Sequence, residues 1–385
     1  MISRRALLGF PILALAGVAA STPACSRRRG GVGFRGYAFV ANEEGQAVAA
    51  VDLETMAVAR HIALGASPNS VMDSPSRPFV YALTPSNGTV HEIAVEHLSL
   101  ARKLAVAPSA QSMQVSPDGS ALYVVAQNPS LLIRIELDSF RAAWKMSLPE
   151  EPVDIAVALD GKTAGLCSPS KVWLADLEAR TLREVAGGSV AVPSPASKAV
   201  YGAVRFLADS KTLIVADRGE THRLSLYDVE SAQLITHLPL AVRPDHLCFN
   251  SDGGQLFVTG EGMDAVVVVY PFHTPEVAET VLAGHAPGPM AASQQFLFVA
   301  SPQSGDVSIL QITSRKVIAV ASVGTDPGFI TVTPDDQYAL VLNRKSGDVS
   351  VLRLGTITKN RDRRAAPLTV IPVGSKPVSA VVRAV

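Results

Sequence analysis

Three side chains of complementary chemistry stand out before any fold is in view: Asp154, Arg205 and His246. A carboxylate, a guanidinium and an imidazole brought together could hold an anionic or hydroxylated ligand, or position a proton transfer. They could equally satisfy one another or bind water. Each sits in a short aliphatic run: Pro152-Val153-Asp154-Ile155-Ala156-Val157, Ala203-Val204-Arg205-Phe206 and His246-Leu247-Cys248-Phe249. Polar residues at alternate positions of an extended run leave the apolar face and share the opposite one. Gln114, in Ser112-Met113-Gln114-Val115, has the same setting and joins the candidate ligand-binding set.

Other chemistries find no support in the motifs. No Gly-x-Ser-x-Gly elbow and no Gly-rich phosphate loop opening a helix occur. There is no Cys-x-x-Cys-His for covalent haem attachment and no Cys/His set at zinc spacing. His222, His237, His273 and His285 lie apart without a partner at ligand spacing. Asp52, Asp138, Asp176 and Asp228 each close a strand-like run, where a carboxylate caps the turn that follows. No cofactor is called for; calcium on loop carboxylates stays open, without EF-hand spacing. No catalytic residue is assigned. Cys167 and Cys248 lie in apolar runs of different units and read as buried thiols rather than a disulfide.

The elements that must position these residues recur. Leu122 to Ala126, Leu132 to Asp138, Ala142 to Met146 and Pro152 to Val157 form a four-part phrase of strand-length runs, closed by Asp160-Gly161. Turn signals such as Ser116-Pro117-Asp118-Gly119, Ser251-Asp252-Gly253 and Thr333-Pro334-Asp335-Asp336 separate the runs. The opening run of the phrase occurs eight times, at Tyr37, Phe79, Leu122, Thr163, Leu213, Leu256, Phe296 and Tyr338. Pro244, Pro287 and Pro327 are 43 and 40 residues apart. That matches the roughly 40–45-residue period of a four-stranded propeller blade. The fold class is therefore all-β, a propeller of eight four-stranded blades. Seven is the fallback, because unit four carries a Pro/Ser insertion from Gly187 to Lys198.

A single four-stranded sheet of this composition leaves both faces apolar, and stacking the blades in a ring buries them. The chain enters on a second-type strand at Tyr37 and ends on a first-type strand from Pro377 to Val382, so the last strand should complete the first blade. The proline-led strand is expected innermost, bringing Asp154, Arg205, His246 and Gln114 toward the axis. Glu43, Glu44, Asp217, Arg218, Glu220, Arg344 and Lys345 fall on the loops between second and third strands and read as a solvated, mixed-charge rim. The stretch from Lys359 to Arg364 reads as a basic surface loop.

At these phrases the chain resembles the YVTN-type β-propeller family, whose relatives include lactonase-like and quinoprotein-like propellers. The resemblance rests on Tyr37 to Asn42, Val51-Asp52, Ser116 to Gly119, Ser322-Val323-Gly324, Pro327-Gly328 and Val373-Gly374, and covers about residues 37–385. It implies the fold, and surface, periplasmic or sugar-lactone-acting relatives; it carries over no catalytic signature.

Residues 1–25 read as an export leader. Arg4-Arg5 precede an apolar run from Ala6 to Ala20, resembling a twin-arginine signal, although paired arginines also occur in ordinary secretory leaders. Thr22-Pro23-Ala24-Cys25 resembles a lipoprotein cleavage site with Thr22 where leucine is usual, and ordinary cleavage near Ala20 or Ala24 also fits. A lipidated Cys25 would attach the protein to a membrane, with residues 26–36 as tether. Lysine plus arginine and aspartate plus glutamate are 34 each, which leaves no overall field for nucleic acid. Aromatics are only 5% against 48% hydrophobic residues, so the core is built on Val, Leu and Ala.

The sequence thus points to an exported, monomeric module of the periplasm or cell envelope that binds a protein or small molecule. The alternative is a lactonase-like hydrolase acting through Asp154 and His246, with a divalent metal as an optional partner. A redox accessory holding a quinone or haem non-covalently stands behind both.

Overall fold

The runs from Phe39 to Ala41 and from Val80 to Leu83 are apolar throughout and lose all contact with solvent. A strand buried on both faces needs a partner sheet on each side, and a ring of sheets supplies two to every member. The computed structural model describes residues 33–185, 199–357 and 364–385. The readings of Arg4-Arg5, of Cys25, of the 187–198 insertion and of Lys359 to Arg363 fall outside the described residues.

Eight sheets of four antiparallel strands follow one another along the chain. The first-type strand of each blade touches the first-type strand of at least one neighbour and lies nearest the axis, led by a proline in every blade but the fifth, and successive strands step outward. The weak fourth unit has not decayed. Tyr201–Phe206 pairs with Thr212–Asp217 and opens a complete fifth blade, so the count is eight and not seven. Blade 1 is assembled from both ends of the chain: Pro377–Ala384 pairs with Gly36–Asn42 in the register Phe39↔Val381 and Ala41↔Ser379. Blade 7 gains a fifth strand, Arg364–Ala365, parallel to its outer strand Lys316–Ser322. The end of the basic stretch is therefore part of a sheet.

The core is divided into eight apolar clusters, each shared by two adjacent blades. The one that closes the ring sets Ala38, Val40 and Val51 of blade 1 against Leu340, Val351 and Ile371 of blade 8, with Ala380 and Val382 from the last strand. Outer strands such as Ala57–Ala63 are mostly exposed, and inner strands are half-buried along the axis. Turn chemistry fixes the register of these hairpins. Gly119 adopts φ 71°, and a Cβ there would meet Ser76 Oγ at 2.4 Å, so only glycine fits. Asp118 accepts hydrogen bonds from the Ser116 hydroxyl and the Ser120 amide, which hold its carboxyl down to about 2.

Carboxylates that close the third strands behave as turn caps. Asp52 accepts from the Glu54 and Thr55 amides, Asp176 from Glu178 and Ala179, and Asp228 from Ser231. Asp138 differs and pairs with Arg77 of the preceding blade. Cys167 and Cys248 are free thiols, and burial pushes both up to about 12.

Candidate functional site

A cavity of about 570 Å³ runs beside the axis along the inner strands of blades 2 to 4 and reaches blades 5 and 6 only at the ends of their inner strands, at Arg205, Phe206 and Phe249, and in the turns that follow. Asp154 opens the inner strand Asp154–Val157 of blade 4, two residues after Pro152, and is partly exposed to the cavity. Arg205 comes from the fifth position of Tyr201–Phe206 in blade 5. Its Nη1 donates to Asp154 Oδ2 at 2.7 Å and to the carbonyl of Val204 at 2.6 Å. The same Asp154 oxygen accepts the Val204 amide at 3.1 Å. The pair thus links two blades and fixes the guanidinium against the wall. Arg205 remains 42% exposed while Asp154 is 20% exposed, so the cationic partner is the one presented to the cavity.

Gln114 lines the same space from blade 3, together with Ser112. The inner strand there carries a bulge between Ala110 and Ser112, which turns Gln111 into the lining as well. Asn69 of blade 2 donates to the Gln111 carbonyl at 2.9 Å and accepts from Ser70, so a row of amides and hydroxyls faces the Asp154–Arg205 pair. Among the described residues, Ser112 Oγ is buried without a hydrogen-bond partner. Phe206, Phe249, Met72 and Leu159 supply the apolar part of the lining.

His246 does not join this group. It is the first residue of the inner strand His246–Phe249, whose other end is the part of blade 6 that touches the cavity. Three residues of extended chain separate the two ends by about 10 Å. His246 lines a different cavity of about 740 Å³, with Arg243, Asp245, Glu261 and Asp264. Burial lowers its pKa, and nearby Arg218 and Arg344 act in the same direction against Asp245. Arg243 there is already committed, through Nε to both oxygens of Asp245 and through Nη1 to Glu261.

The loops between second and third strands are less solvated than their composition implies. Asp217 is fully buried and accepts from the amides of Val200 and Gly219 and from Arg223 Nε. Arg218 lies over Gly202 and donates to the carbonyls of Pro244 and Asp245 in the next blade. Arg344 lies likewise over Gly328 and donates to Asp326. These guanidinium groups are structural ties across the strand openings. Among the described residues, no three His, Cys, Asp or Glu side chains come together as a metal-binding group.

Sequence reasoning missed the amide row, because the bulge that exposes Gln111 breaks the alternation on which the register was read. It also missed two aromatic residues at the strand ends; Phe206 and Phe249 each precede a turn, the one signal that could have placed them at a cavity mouth.

No family model matches the chain, and no curated protein matches it in sequence. Solved structures do. The dihydro-haem d1 dehydrogenase NirN, in complex with DHE, superimposes with a TM-score of 0.73 at 12% identity, covering 90% of this chain and 75% of that one. Hydrazine synthase of Kuenenia stuttgartiensis gives 0.58 at 17% identity, covering 74% and 95%. The Cps50 (Swd1) β-propeller domain of Myceliophteria thermophila gives 0.59 at 12%, covering 74% and 95%. At such identities the likeness supports the propeller fold and nothing finer; the count of eight blades comes from the chain's own sheets.

Proposed function

We propose that this propeller is a small-molecule-binding module whose ligand occupies the axial cavity beside Asp154, Arg205 and Gln114. The observation that carries the reading is the combination of a cavity of about 570 Å³ with one oriented, half-exposed ion pair in its wall. Ligand sites are concave, largely apolar, and carry a few convergent polar groups, and cavities of roughly 300–1,000 Å³ are typical of them. The neighbours in fold include both enzymes and a domain with no stated activity, so they favour neither catalysis nor binding. The hydrolase alternative needed Asp154 and His246 at one point, and the separation of their cavities weighs against it.

Membership of the YVTN-type family belongs to the same proposal. It is supported by the turn and strand phrases and by the eight-fold blade count. Export to the cell envelope, with or without a lipid on Cys25, rests on the leader sequence alone.

The test is a thermal-shift screen of a small-molecule library against the wild type and Gln114→Trp, a substitution that fills the cavity from a partly exposed position. Compounds that raise the wild-type melting temperature should lose that effect in the variant. Stabilisation that survives unchanged in Gln114→Trp would remove the axial cavity as the site.

A further inference from the structure

We infer that the axial cavity selects a monocarboxylate with an apolar body, received by the outward edge of Arg205; this rests on the reading of the cavity as a ligand site. Among the described residues, Arg205 forms hydrogen bonds only through Nη1, to Asp154 and to the Val204 carbonyl. Those two bonds hold the guanidinium plane in place and leave Nε and Nη2 without a protein acceptor among the described residues, on a side chain that lines the cavity and is 42% exposed. Nε and one Nη of a guanidinium match a carboxylate in a planar, two-bond geometry, which a point-charge ammonium cannot reproduce.

The charge balance sets the valence. Asp154 neutralises part of the arginine charge and commits Oδ2 to it and to the Val204 amide. The other carboxylate of the lining, Asp252, is exposed and holds its own turn through the Gly254 amide at 2.7 Å. One guanidinium already sharing its charge suits a monoanion. A phosphate dianion would need a second cation, and the cavity lining contains no other lysine or arginine. A cationic ligand would have to approach the pair from the Asp154 side, the less exposed one.

The rest of the ligand follows from the walls. Met72, Leu159, Phe206 and Phe249 offer apolar and aromatic surface within the same cavity as Arg205. An aryl or medium-chain aliphatic acid satisfies the head group and the walls together.

The experiment uses three probes of one shape and different heads: 4-phenylbutyrate, 4-phenylbutyramide and 4-phenylbutylamine, with inorganic phosphate as a fourth. Calorimetric titration of the wild type should show the carboxylate binding at least about 10-fold more tightly than the amide, with the amine and phosphate weaker still. Arg205→Met should weaken the carboxylate far more than the amide and bring the ratio between them close to one, with an unaltered circular dichroism spectrum confirming the fold. Arg205→Lys should recover only part of the difference. Equal binding of carboxylate and amide, or tighter binding of the amine or phosphate, overturns the carboxylate assignment; if Gln114→Trp abolishes that binding, the cavity reading stands without it. Heat from none of the four probes at millimolar concentration overturns both.

Discussion

His91 gives the fold a measurable sensitivity to acid. It lies on the third strand of blade 2, Thr89–Ala94, and is 1% exposed. Its Nε2 is 3.1 Å from Thr84 Oγ1, which also lies 2.6 Å from Asn87 Oδ1 and 3.1 Å from the Thr89 carbonyl. The threonine hydroxyl has one proton, and two acceptors already compete for it, so Nε2 must be the donor to Thr84. That assigns the neutral Nε2–H tautomer and leaves Nδ1 as a bare nitrogen, buried without a partner. Protonation would bury a charge and an N–H with nothing to receive it, and Lys103, directly across the strand pair, repels the added charge. Burial first and Lys103 second push the imidazole down to about 4 from 6.5. The unfolded chain therefore binds a proton that the folded chain refuses, and stability falls as pH drops through 6.5 toward 4. At pH 5.0 the linkage loss from this one residue is about 2 kcal/mol, and it approaches about 3 kcal/mol near pH 4. Urea unfolding followed by circular dichroism at pH 7.5 and 5.0, in the wild type and His91→Gln, isolates the effect because every other titrating group is common to both. The variant should be the less stable at pH 7.5 and the flatter with pH. Equal losses in the two proteins between these pH values would refute the assignment of a neutral, acid-refusing His91.

Deleting Pro377–Ala384 should open the ring: the strand pairs with Gly36–Asn42 and contributes Ala380 and Val382 to the closing cluster, and its loss should cost about 5 kcal/mol, comparable to a whole domain's margin. A cooperative melt at the wild-type temperature would contradict that. Arg102→Ala should destabilise by about 3 kcal/mol, because Glu92 is fully buried and Arg102 covers it with two donors while stacking on Phe140. The double replacement Glu92→Leu with Arg102→Met should recover most of the loss in chemical denaturation; recovery of none would mean that packing, not the unpaired carboxylate, sets the cost. For the leader, Arg4→Lys with Arg5→Lys should retain precursor in the cytoplasm of an expressing bacterium, and Cys25→Ala should shift the product from membrane to soluble fractions. Unchanged fractionation in both would leave the leader reading without support.

Why the ring was readable and the site only partly so follows from where each is encoded. A residue such as Val351 or Leu340 answers to a sheet on each side, so strand type, turn type and period all repeat and reinforce one another. The closing strand was legible for the same reason, since a first-type strand at Pro377 has no unit of its own to join. Burial of polar groups was not legible. Asp217 reads as part of a solvated rim and Glu92 carries no sequence signal of burial; each is buried because an arginine directly across its hairpin, Arg223 or Arg102, pairs with it.

The axis explains the remaining gap. Eight clusters lie between blades; Ala156 and Met113 serve both a cluster and the cavity wall, whereas the polar Asp154, Arg205 and Gln114 line the cavity without belonging to any cluster. At the polar positions the sequence departs from the apolar repeat, as at Asp154 and Arg205 beside Ala156 and Ala203. The candidates could be found by looking for such departures, but not grouped, because a register counted from the proline gives each residue a level and no cavity. Asp154 and His246 share that level and face different spaces, since the first cavity follows the inner strands of blades 2 to 4 and meets blade 6 only at Phe249 and the turn after it. The grouping depends on how side chains from neighbouring blades fill the axis, as when Arg205 turns back to Asp154, and that is a property of the closed ring rather than of any one repeat.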